Sequence, residues 1–316
     1  MDIAFDIAIG LLRLIVLVSA GVFAGSLLES TGWTRKLGFL VRPLTNWAKL
    51  PSACGSAFVT AFVSPRAANS MLAGAYADNK LRRHEMITGA LINIFPNTLC
   101  HMRVLAFAVI PLLGVVGAAY VGFQFVTALV VTVIMLGVGR GLSGKLVPSG
   151  GDTTNDTENR EQETETWGEA TKRAMKRTRK ILTRVMLITA PLYIAVGILD
   201  HLGIFRQAAE VMPQALAAVL PPASVTVVAG HMSSVMNAAG IGAELMHSGT
   251  LSGYHLLMTL IAGNLLSMPI RAMRHTIPSI LGIFPPRDGI MIVVVGQILR
   301  AAIGLSIFIG LWVYFI

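Results

Sequence analysis

Charge is scarce in this chain of 316 residues. Charged side chains make up 13% of it and hydrophobic ones 54%, against about 25% charged in a soluble domain, which excludes an ordinary water-soluble globule. Cysteine is nearly missing. Cys54 and Cys100 are the two present, and their separation fits neither a zinc site nor a disulfide framework. Neither G-x-S-x-G nor H-E-x-x-H occurs, and carboxylates are nearly absent from the apolar runs, so no enzyme and no cofactor is expected. The net charge of +9 comes with no nucleic-acid recognition motif, so no nucleic-acid partner is expected. Lys and Arg gathered in the cytoplasmic loops of a membrane protein account for it better.

Long apolar runs are what the sequence does have. Residues 7–28, 104–139, 181–199 and 290–316 are each long enough to cross a bilayer. The first run follows Asp2 and Asp6 and is interrupted by Arg13, unlike a signal peptide, so it reads as a retained span. Gly21 and Gly25 form a G-x-x-x-G helix-packing motif that suits contact within the chain or in a homo-oligomer.

The chain also repeats itself. A shift of 171 residues places Arg13 on Arg184, Pro51 on Pro222, His84 on His255, Asn93 on Asn264 and Arg103 on Arg274. These residue types are rare here, so their coincidence carries weight. Each copy has a first span, an amphipathic stretch, a small-residue segment (52–77 or 223–246), a second span (about 84–102 or 255–273) and a proline-broken apolar tail. Between the copies, residues 140–180 form the one clearly polar stretch, acidic and then basic, read as a linker and a helix on an anionic cytoplasmic leaflet. Gly139 to Lys145 imitates a phosphate-binding loop, but Leu146 stands where Ser or Thr would hold magnesium.

Loop charge assigns orientation. Arg35, Lys36, Arg42, Lys49, Lys80, Arg82 and Arg83 crowd two loops of the first copy, where the matching loops of the second carry Arg206 alone. The bias reverses after the second span, with Arg103 against Arg271, Arg274 and Arg287. The positive-inside rule then inverts one copy relative to the other. The expected fold is an all-α polytopic membrane protein of two inverted-topology repeats with re-entrant, broken helices. The expected units are a first repeat at 1–139, a cytoplasmic linker with a basic helix at 140–180 and a second repeat at 181–316. Both termini are expected outside, in the plasma membrane.

Candidate site residues lie at the breaks. Pro65 interrupts Ser64-Pro65-Arg66-Ala67-Ala68-Asn69-Ser70, and a half-helix starting after Ser64 would aim its amide groups and Arg66 at an anion or polar solute. The structural alternative is an Arg66 that snorkels or pairs with a buried acid such as Glu244. The second copy offers His231, Ser233, Ser234 and Asn237, with Asn237 on Arg66 in the register. Their neutral donors and acceptors suit a hydroxylated or heterocyclic ligand, or Na⁺ as a coupling ion, and equally a helix-packing role. Asn93, Asn97 and His101 share one helical face, as do Asn264, Ser267 and Arg271. Such stripes line a water path or glue helices together. Met232, Met236, His231, Met102, His101 and Cys100 would be soft ligands for Fe²⁺ or Cu⁺, without a compact ligand spacing.

Residues 55–101 and 230–274, each a small-residue segment, a polar turn and an Asn-bearing span, resemble the gate or nucleoside-recognition domain family. That family includes the membrane part of ferrous-iron transport protein B, spore maturation proteins A and B, and the core of concentrative nucleoside transporters. The resemblance implies two oppositely oriented modules with re-entrant hairpins and solute contact at the two turns, Asn93 and Asn264. No GTP-binding domain is present, and neither second span carries a distinct nucleoside-site carboxylate. The expected function is a secondary permease moving a small polar or anionic solute through a midplane site, coupled to Na⁺ or H⁺ or uncoupled. The alternatives are a non-transporting membrane assembly protein of the spore-maturation type and a metal-ion permease.

Overall fold

The computed structural model describes residues 46–145 and 220–315, with Met175, Arg179, Thr183, Pro191 and Ile194 as isolated positions between them. The first spans at 7–28 and 181–199, most of both amphipathic stretches and the body of the 140–180 linker lie outside the described residues. Within the described residues all regular structure is helical. It comprises α1 (Ser52–Ala61), α2 (Pro65–Ala77), α3 (Arg83–Ile92), α4 (Ile94–Leu113), α5 (Val115–Lys145), α6 (Ser224–Ser233), α7 (Val235–His247), α8 (Gly253–Arg271), a π turn at Ala272–Thr276, α9 (Ile277–Leu281) and α10 (Pro286–Phe315). The segments Val115–Leu142, Gly253–Leu281 and Pro286–Tyr314 are long and apolar enough to cross a membrane, as a membrane protein requires.

The two small-residue segments match in element order and length. Each small-residue segment is a helical hairpin: α1 and α6 have 10 residues each, α2 and α7 have 13 each. Serine starts the second arm both times. Ser64 and Ser234 sit in extended conformation, and their hydroxyls accept from the amides of Ala67 and Asn237, capping a helix end that has no earlier carbonyl partners. Pro65 at the first position of α2 suits the same place, since its missing N–H would be unpaired there anyway.

The gapless 171-residue register fails at these turns. Three residues, Phe62, Val63 and Ser64, separate α1 from α2, whereas Ser234 alone separates α6 from α7. Arg66 is therefore two residues past its cap and answers Met236, not Asn237.

The apolar run at 104–139 is two helices rather than one span. Gly114, at φ 57°, turns the chain between α4 and α5. Gly117 then lets α5 fold back, because a Cβ there would lie 2.5 Å from the Val109 carbonyl oxygen. In the second half the corresponding region is broken by the π turn behind Pro269 and restarts at Pro286.

Side-chain contacts fix how the long helices lie. Arg83 meets Asp288, Gly296 abuts Leu91 and Ile94, and Arg300 reaches Thr98, so α10 runs alongside α3 and α4 in the same direction. Gly253 abuts Val116 and Asn264 pairs with Gln124, so α8 and α5 run the same way. Thr132 bonds the Ile92 carbonyl and Gly139 abuts Thr88, so α5 runs against α3.

Two apolar cores result, each completed by the other half. The first packs Phe58, Leu72, Met86 and Leu91 against Ile283, Phe284 and Ile292. The second packs Val227, Ala239, Leu256 and Ile261 against Val109, Leu113, Tyr120 and Phe123. Small residues on α2 and α7 (Ala68, Ala75, Ala238, Ala243) let the helices approach closely, which in a bilayer replaces the hydrophobic drive absent between helices.

Candidate functional site

The break in each half gathers polar side chains, with opposite results. At the second hairpin they close on themselves. His231, from the last turn of α6, is 1% exposed. Its Nε2 lies 2.9 Å from the Tyr120 hydroxyl and its Nδ1 lies 3.2 Å from the Ser267 hydroxyl. Gln124 Nε2 donates to the Tyr120 hydroxyl (3.2 Å) and to Asn264 Oδ1 (3.4 Å), while Asn264 Nδ2 donates back to Gln124 Oε1 (3.4 Å). Ser267 donates its hydroxyl to the Asn264 carbonyl oxygen at 3.1 Å, which completes the ring. Arg271 Nη2 donates to that carbonyl at 3.1 Å and to Asn264 Oδ1 at 2.5 Å.

These donors and acceptors allow one arrangement. Ser267 spends its proton on Asn264, so it accepts from His231 Nδ1–H. His231 is then neutral at Nε2 and accepts from Tyr120, whose oxygen accepts from Gln124. Gly263 makes room for the imidazole, since a Cβ there would lie 3.0 Å from the His231 Cβ. A ring in which each member is paired rigidifies a core and leaves no group for a ligand.

At the first hairpin the groups do not close. Asn93, at the α3–α4 junction, is 3% exposed. Its Nδ2 reaches Asn69 Oδ1 at 3.5 Å, but its own Oδ1 is buried without a partner. The Nε atom of Arg66 is likewise buried and unpartnered, and Glu244, the candidate acid for it, is exposed and makes no bond to it. Arg66 and Asn69 are three residues apart on α2 and so share a face. Across from them, Arg300 Nη2 donates to the Thr98 hydroxyl at 2.9 Å, and His101 lies within electrostatic reach of both Arg66 and Arg300. One turn before Arg300, Gln297 Oε1 is also buried without a partner. Cys100 meets the carbonyls that the end of α1 leaves free, at 3.5 Å to Ala61 and 3.1 Å to Phe62.

The candidate residues thus sort into groups. Asn69 and Asn93 come together, with Arg66 beside them; Ser64 serves as a cap, and Asn97 is half-buried one turn further on. His231, Asn264 and Ser267 come together in the closed ring. Ser233 and Asn237 pair with each other at 3.3 Å on an exposed surface, beside Ser234. Among the described residues no three His, Cys, Asp or Glu side chains gather. Tyr120, Gln124, Gln297 and Arg300 were not anticipated from sequence. The signal for them was present: each is a lone polar residue within a long apolar helix, where it is costly unless it has a partner or a ligand.

Three proteins of the archaeon Methanocaldococcus jannaschii, each named only as uncharacterized, are similar to this chain over nearly its whole length. One is 26% identical over 307 residues, covering 95% of this chain and 92% of the relative. Another is 25% identical over 294 residues (92% and 90%), and a third is 23% identical over 319 residues (98% and 100%). No family model and no solved structure matches the chain.

Proposed function

We propose that this protein is a plasma-membrane permease of two inverted gate-type repeats that moves a small polar or anionic solute past the first hairpin. The observation that carries the reading is the pair of buried, unpartnered atoms, Arg66 Nε and Asn93 Oδ1, beside a helix break in a membrane chain. Leaving a buried polar group unmet costs about 1–3 kcal/mol, and more when it is charged. Such groups beside broken helices in a bilayer are where transporters hold solute.

Inversion draws support from the packing. Since α8 runs with α5, and α5 runs against α3, the equivalent helices α3 and α8 point opposite ways. The reciprocal completion of the two cores is what a two-fold axis produces and a simple translation does not. The reversal of loop charge between the copies favours an axis in the membrane plane. Labelling of Arg82→Cys and Ser252→Cys from each side of the membrane should find them on opposite sides; labelling on the same side would end the inverted reading.

The functional test is a stabilisation screen of the purified protein against nucleosides, organic anions, amino acids and Fe²⁺. It is followed by uptake of the best ligand into proteoliposomes. Stabilisation by no solute, together with no uptake, favours the assembly-protein reading. The closed ring at the second hairpin supports that reading, because it uses as internal glue the groups a site would offer.

A further inference from the structure

Resting on the permease reading, we infer that the solute held at the first hairpin is a small carboxylate that carries a hydroxyl or amino group next to its acid. The unmet groups around Asn93 are of two chemical kinds. One kind is cationic and donates: among the described residues Arg66 lacks any partner at Nε, Arg300 pairs with Thr98, and neither guanidinium meets a carboxylate. The other kind is neutral and accepts: Asn93 Oδ1 and Gln297 Oε1 are buried carbonyl oxygens with nothing to donate to them. The Asn93 amide is turned this way by Asn69, whose Oδ1 takes the Nδ2 hydrogen.

No single-featured solute answers both kinds. A bare anion satisfies guanidinium groups but has no hydrogen to give an amide oxygen. A neutral polyol or base can donate to the amides but leaves two half-buried cations uncompensated, which is the larger cost. A carboxylate with an adjacent O–H or N–H offers both an acceptor for the guanidinium groups and a donor for the amide oxygens in one small molecule. Arg66 and Asn69 share one face of α2, Asn69 touches Asn93, and α10 lies against the same region, where Gly296 abuts Leu91 and Ile94 and Arg300 reaches Thr98. The second hairpin lacks this set, since Met236 takes the place of Arg66 and Asn264 has spent its amide on Gln124 and Arg271. Recognition is therefore one-sided, made by the first hairpin and completed by α10 of the other half.

The test is equilibrium binding to the full-length protein in lipid nanodiscs, with probes that differ by one group. These are lactate, alanine, propionate and lactamide, with malate, aspartate and succinate as the four-carbon set. The expected result is that lactate or alanine (or malate or aspartate) binds at least about tenfold tighter than its unsubstituted analogue, a difference of about 1.4 kcal/mol. Lactamide should bind weakest of the lactate series. Gln297→Leu and Asn93→Ala should each shrink the preference over propionate or succinate to under about threefold. Gln297→Leu keeps the test open if the Asn93 variant does not fold. Equal binding of substituted and unsubstituted acids, or an unchanged ratio in Gln297→Leu, overturns the inference. Binding of a nucleoside with no binding of any acid overturns it while the permease reading stands. Binding and uptake of no solute of any class overturns both.

Discussion

At the second hairpin His231, Tyr120, Gln124, Asn264 and Ser267 answer one another, and at the first Arg66 Nε and Asn93 Oδ1 have no partner among the described residues. The two regions have hairpins of the same arm lengths and the same serine cap, and each has a buried asparagine beyond its hairpin. What separates them is the supply of partners from the neighbouring long helix. α5 brings Tyr120 and Gln124 to Asn264, whereas α10 brings Gln297 and Arg300 to the region of Asn93 without closing a ring. The two hairpins thus differ, one closed by internal hydrogen bonds and the other with a buried donor and acceptor unmet among the described residues. On the permease reading proposed above, the first hairpin binds and the second holds the frame.

The comparison can be broken most forcefully at Asn264. Asn264→Ala removes the amide that pairs with Gln124 and Arg271, while its backbone carbonyl still accepts from Arg271 and Ser267, so a loss of about 1–3 kcal/mol is expected. Thermal or denaturant unfolding in detergent measures it, and a loss below about 1 kcal/mol would deny the ring its structural role. Tyr120→Phe removes one hydroxyl that serves two bonds, and about 1–2 kcal/mol should be lost. Arg66→Ala should leave stability within about 0.5 kcal/mol yet abolish uptake, and Arg66→Lys should restore uptake only in part, since an ammonium lacks the planar fork. Unfolding of the Arg66→Ala protein would make Arg66 a member of a second structural ring and erase the contrast. The Arg83–Asp288 pair, at 2.6 Å with Arg83 half in solvent, should give the smallest effect. A double-mutant cycle should return about 0.2–1 kcal/mol.

Much of this was legible in the sequence, and the reasons for the rest are physical. Small residues around Pro65 announced the first hairpin, and Asn93 and Asn264 stood out because polar residues are rare in such a chain. The placement of Asn264, Ser267 and Arg271 on one face followed from helical period. The corner at Gly114 was hidden, because an apolar run has no break in composition when glycine alone turns it. The shift of Arg66 relative to Asn237 was hidden too, since a gapless register cannot see two extra residues in one turn. Gln124, Gln297 and Arg300 are distant in sequence from the hairpins they serve, and packing alone decides which hairpin each one reaches.

The reciprocal cores have a consequence for how the protein is made. The first hairpin emerges from the ribosome early, but its core lacks Ile283, Phe284 and Ile292 until nearly the whole chain has been synthesised. Its early helices must therefore wait in the membrane as an unfinished half, with α3 short of its neighbour α10. The clamp between Arg83 and Asp288, 205 residues apart, can close only at the end. A chain ending before α10 should insert yet stay protease-sensitive in its first half, whereas the same chain co-expressed with the missing helix should regain protection.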